Sequence, residues 1–132
     1  MTVTAGLIGL TDLRARAAAA LAPTLDGDPA VLEAPVDAVD PPALIVAWED
    51  PWVEFQTPCF WYANLVVLCV ASRVEPAAGV ETLEGLMAYV ISRLRDDPNS
   101  WPMASTTAPR LFEINNIPLL GARLVYRAPV TF

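Results

Sequence analysis

The stretch from Pro58 to Arg73, PCFWYANLVVLCVASR, is the longest apolar run in the chain, and Asn64 is the one clearly polar residue inside it. Aromatic and β-branched residues dominate it, Pro58 precedes it and the Glu75–Pro76 pair punctuates its end, so we read it as a central strand and not a buried helix. Alternation places Phe60, Tyr62, Val66, Leu68 and Val70 on one face, and Trp61, Ala63, Leu65, Val67, Cys69 and Ala71 on the other. A strand apolar on both faces must be covered twice. A helix is the expected cover on one side, and a second copy of the chain is the expected cover on the other.

At 132 residues the chain makes one domain, 1–132, around a single core. Its hydrophobic share of 55% and mean hydropathy of +0.42 are high for a small soluble monomer. Either the surplus is hidden in an oligomer, or an alanine-rich composition with 13 prolines inflates the figures. The run at 59–71 is shorter than the roughly 20 residues that span a bilayer and carries Asn64, so no membrane segment is expected. The first charges, Asp12, Arg14 and Arg16, follow the apolar Leu7–Leu10 instead of preceding it, which is not the order of a secretory leader. The expected location is the cytoplasm, or a released particle.

Cys59 and Cys69 fall ten residues apart in one strand, a separation of about 33 Å at ~3.3 Å per residue, whereas a disulfide needs Cα atoms within about 7 Å. They cannot bridge each other. With no histidine and no CxxC, neither a metal site nor any other cofactor is expected. All 8 basic residues are arginine against 15 acidic ones, a net charge of −7. That balance argues against a protein that gains affinity by neutralising phosphates. It suits solubility, or a surface that must not adhere to a nearby polyanion.

Residues 5–22 carry Leu10, Leu13, Ala17, Ala20 and Leu21 at helical spacing, ended by Pro23, with Thr4 or Thr11 as N-cap. A turn at 23–29 leads to a short strand, 30–34. The loop 35–42, PVDAVDPP, holds Asp37 and Asp40 between prolines; paired carboxylates can do acid–base work, but aspartates in such a loop serve mainly to seed turns. Residues 43–48 form the next strand, and 51–58, PWVEFQTP, reads as an edge piece or projecting arm, because proline cannot donate to a central ladder. Trp48, Trp52 and Trp61 cluster here. Such clustering serves either a core or an interface, where aromatic residues are favoured anchors.

The clearest element is a helix within 76–98, stopped by Asp96, Asp97 and Pro98. Leu83, Leu86, Met87, Val90, Ile91 and Leu94 follow helical spacing without a miss. Pro76 suits the first turn, and Arg93 and Arg95 suit the last. A loop at 99–109 follows, then strands at 110–114 and 119–132 joined by NNIP; in the last strand Arg123, Arg127 and Thr131 face away from the core. The order predicts an α+β domain: a mixed or antiparallel sheet of about four to five strands on two helices, with a projecting hairpin or loop arm.

The pieces LRARAAAALAP, DPPALIVAWED, the long apolar strand, SRLRDDP and LLGARLVYR lie in an order that resembles the tail terminator family of long-tailed phages. The resemblance covers nearly the whole chain and is one of layout and texture, with DPPA and LLGA its most specific pieces; other connector proteins of the phage neck, such as stoppers, are of similar size. It implies a structural virion protein: a ring, usually a hexamer, on the capsid-proximal end of the tail tube, assembled in the host cytoplasm. Such a ring stops tube growth and docks the head connector. The implied partners are further copies of the chain, the tail tube protein and the connector or stopper, while DNA passes through without specific binding. Trp48, Trp52, Phe55, Arg123 and Arg127 are then the candidate interface residues, and Asp37, Asp40, Glu49, Asp50 and Glu54 the candidate lumen-facing acids. No enzyme is expected: there is no histidine or lysine base and no glycine-rich phosphate loop. The alternative is a small α+β ligand-binding domain with an apolar pocket between helix and sheet.

Overall fold

The computed structural model describes residues 9–57, 60–72, 76–98 and 101–130. The elements run α1 (Leu10–Leu21), β1 (Ala30–Glu33), β2 (Ala43–Thr57), β3 (Phe60–Ala71), α2 (Pro76–Asp96), β4 (Met103–Thr106), β5 (Arg110–Ile114) and β6 (Ile117–Val130). One mixed sheet is ordered β1-β2-β3-β6-β4, with β5 also paired to β6. Among the described residues β1 and β2 pair in parallel and the other pairs are antiparallel. The fold is α+β as expected. The sheet has six strands where four to five were expected, because Met103–Thr106 inside the expected loop pairs with β6.

The apolar run is the central strand, laddered to β2 along one side and to β6 along the other. Its odd face packs under the helices: Ala63, Leu65, Val67, Cys69 and Ala71 join Leu83, Leu86, Val90 and Leu94 of α2 and Leu13, Ala17 and Leu21 of α1 in the main core. Burial of the four α2 side chains contributes on the order of 10 kcal/mol before entropy, at ~1.5–3 each.

The other face is covered differently from expectation. At one end Ile45, Val70 and Leu119 are buried under the chain's own Val36, Val39, Phe112 and Ile114, so the loop 34–42 and the β5–β6 hairpin serve where a second copy was expected. Prolines and aspartates dominate that loop in sequence, which suggests turns alone, but its two valines pack inward. The hairpin turns on Asn115 and Asn116, both at positive φ (52° and 66°), as a two-residue turn requires. Gly121 allows Phe112 to lie flat on β6, since a Cβ there would fall 2.3 Å from the ring.

Helix α1 begins between the two expected caps. Gly9 is its N-cap, in extended geometry, and its carbonyl accepts the Leu13 N–H at 2.9 Å. Thr11 therefore lies inside the first turn and caps nothing, while Asp12 meets the positive end of the helix dipole. At the other end the Tyr89 hydroxyl donates to the Leu21 carbonyl at 2.8 Å, satisfying a carbonyl the helix leaves open. Thr4, Cys59 and Thr131 lie outside the described residues.

Candidate functional site

β2 is one continuous strand across what the sequence divides in two. A register shift between Trp48 and Val53 absorbs Glu49, Asp50, Pro51 and Trp52, so that pairing with β3 resumes at Val53↔Ala63 and continues through Phe55↔Trp61. β1 pairs only with residues 43–46, so among the described residues the outer edge of β2 beyond the Ala34 N–H to Val46 carbonyl bond has no strand beside it. The edge reading of 51–58 holds for its described part. Pro51 sits where a missing N–H costs no ladder bond.

This end of the sheet carries most of the aromatic surface. Trp48 and Trp52 make a tilted ring contact with centroids 5.8 Å apart, and Phe55 and Trp61 one with centroids 5.3 Å apart. Trp52, Phe55 and Phe60 are 52%, 66% and 52% exposed, while Trp48 and Trp61 are half-buried against the main core. Trp101, by contrast, is a core residue. Phe60 is absent from the sequence-based candidates; its place at the start of β3, next to the edge aromatics, was the available signal.

On the face away from the helices, candidates expected in two separate roles are joined to each other. Arg123 pairs with Glu49, and Arg127 with Glu54 at 3.2 Å. Asn64, 5% exposed, lies between, donating to the Pro51 carbonyl at 2.8 Å and to the Glu54 carboxylate at 2.9 Å. The Arg127 guanidinium also stands 5.2 Å over the Tyr62 ring, with its Nε buried and unpartnered. Two arginines thus neutralise two of the five acids.

No protein-family model matches this chain, and no curated protein does.

The remaining acids are divided between the two ends of the sheet. Asp50 is exposed in the bulge of β2. Asp37 and Asp40 are exposed in the loop after β1, and Asp40 lines a cleft of about 570 Å³ with Asp28, Thr82 and Tyr89. The backbone N–H groups of Thr24 and Leu25 hold the Asp28 carboxyl below its ordinary range, with Arg93 at 3.2 Å adding to the effect. Asp28 and Arg93 thereby tie the turn after α1 to α2.

Little here is shaped for covalent chemistry. Burial pushes the Cys69 thiol up to about 12, which keeps it protonated and a poor nucleophile. Among the described residues no three metal-ligating side chains come together. What the end of the sheet carrying Trp52 offers is contact area: aromatic groups beside a β2 edge that has no strand next to it among the described residues.

Proposed function

We propose that the chain is a structural, ring-forming protein of the phage neck: a tail terminator that caps the capsid-proximal end of the tail tube and receives the head connector. The observation that carries this reading is that Trp52, Phe55 and Phe60 are all exposed at one end of the β2–β3 pair, where β2 has no outer strand beside it among the described residues. Large aromatic side chains in contact with water on a rigid strand pair suit burial against another protein. The resemblance in sequence layout makes that protein a neighbouring subunit or the last ring of the tube.

In a ring of this kind Asp37, Asp40 and Asp50 are the acids best placed to face passing DNA, because Glu49 and Glu54 already have arginine partners. Walls of net negative charge do not hold phosphate. Trp48 supports Trp52 from beneath, and Arg123 and Arg127 act within the subunit to stiffen the contact surface.

The test is assembly. Native mass spectrometry of the protein alone and electron microscopy with tubes of the tail tube protein from the same genome should show rings seated on tube ends, lost in a Trp52→Ala/Phe55→Ser variant that stays folded. Persistent monomers that leave tube length unchanged would overturn the reading. A second reading, a small ligand-binding domain, is favoured by the cleft beside Trp101.

A further inference from the structure

A second cleft lies on the helix side of the sheet, across β6 from the ion-pair ladder. Ile91 and Arg95 on the last turns of α2 form one wall, Trp101, Pro102 and Met103 leading into β4 form another, and Tyr126 of β6 completes it, around about 410 Å³. Small organic ligands are held in volumes of roughly 300–1,000 Å³ with mostly apolar walls and a few convergent polar groups.

Among the described residues, Arg95 and Tyr126 bring polar groups to this one besides the Trp101 indole. Arg95 is exposed, and its 3.2 Å pair with Asp96 has both partners in solvent, which leaves the guanidinium weakly held. Tyr126 is the more telling. It is 2% exposed and lines the cleft, yet its hydroxyl makes no hydrogen bond among the described residues. Buried tyrosine hydroxyls normally have a partner. Burial also pushes this hydroxyl up to about 12, so it remains a donor at neutral pH. Among the described residues no carboxylate lines the cleft, and Asp97 is engaged by the Trp101 indole N–H at 2.8 Å.

We infer that this cleft binds a small amphipathic acid, its apolar body against Ile91, Trp101 and Met103 and its carboxylate accepting from the Tyr126 hydroxyl and the Arg95 guanidinium. An acid fits where an amine does not, because one polar lining group is a cation and the other presents a free O–H. The inference stands apart from the ring reading and holds whether or not the chain assembles.

The test is a titration of the full chain with sodium octanoate, octylamine and 1-octanol, followed by the tryptophan indole signals in 1H–15N NMR spectra. Octanoate should shift the Trp101 indole saturably, with octanol weaker and octylamine without effect. Tyr126→Phe and Arg95→Gln should each weaken octanoate about fivefold, the size of one lost hydrogen bond. Arg95 is exposed, so its variant keeps the test open if Tyr126→Phe folds poorly. Equal binding of octylamine, unchanged affinity in Arg95→Gln, shifts at Trp52 instead of Trp101, or no saturable shift at all would overturn the inference.

Discussion

The Arg127 guanidinium reaches the Glu54 carboxylate at 3.2 Å although β6 and β2 are not neighbours in the sheet. β3 runs between them, and its Asn64 holds the other Glu54 oxygen at 2.9 Å. Three strands are thus bound together at the bulge that carries Trp52. The ion pair is about 40% exposed on each side and so is weak alone; the buried amide is the stronger link.

Asn64→Ala should therefore cost about 1–3 kcal/mol, because the Pro51 carbonyl and one Glu54 oxygen lose their buried donor. Glu54→Gln, which keeps an acceptor for Asn64, should cost less than about 1 kcal/mol. Urea unfolding midpoints of the two variants check the order; equal losses would show that the charge, not the amide, joins the strands.

Leu94 is fully buried in the main core and Trp52 is half exposed. Leu94→Ala should destabilise by about 2–5 kcal/mol, and Leu86→Asp should unfold the domain by placing a charge in the same core. Trp52→Ala should shift stability by less than about 1 kcal/mol while reducing assembly. Thermal melts paired with native mass spectrometry separate the two effects.

Gly121→Ala should destabilise by about 1–3 kcal/mol, since the added methyl meets the Phe112 ring. In a Phe112→Ala background the same change should cost much less. A double-mutant cycle by chemical denaturation measures this coupling, and additive losses would mean that the ring is not what Gly121 accommodates.

Asp28 is depressed in the folded chain by the N–H groups of Thr24 and Leu25. A depressed carboxylate adds stability that is complete above its unfolded value, near 3.9, and disappears as pH falls through the lower folded value. Asp28→Asn should be less stable than the parent at pH 7, and the gap should narrow below about pH 4. At the alkaline end Tyr126, raised to about 12, adds stability that is complete below about pH 10 and fades as pH rises toward 12. Tyr126→Phe should flatten that decline, as denaturation midpoints across the pH range will show.

Elements that bury a periodic face were legible from the residues alone. Six apolar positions marked α2, and Leu83, Leu86, Val90 and Leu94 are indeed buried; β3 declared itself by being apolar on both sides. β4 did not, because all four of its residues are exposed and it exists through its backbone pairing to β6. The continuity of β2 was hidden by Glu49, Asp50 and Pro51, which resemble a loop until a bulge accommodates them. Arg123 and Arg127 were readable as facing away from the core, but their acid partners were not, since a pair formed across an intervening strand depends on a register that local alternation does not encode. Tyr126 alternates with Arg123 and Arg127 and so belongs to the inward face, yet nothing in its sequence neighbours signals a hydroxyl that makes no hydrogen bond among the described residues.

The loop 34–42 joins two parallel strands and still contributes Val36 and Val39 to the smaller core cluster. It works as a strap: everything before it, helix α1 included, is fastened to the sheet by a passage lying on the opposite face from the helices. A protease cut beside Ala38 would leave both fragments seated at first, yet remove the covalent tie that makes them a single cooperative unit. Tolerance to nicking at this one exposed spot would consequently report how firmly the N-terminal third grips the rest.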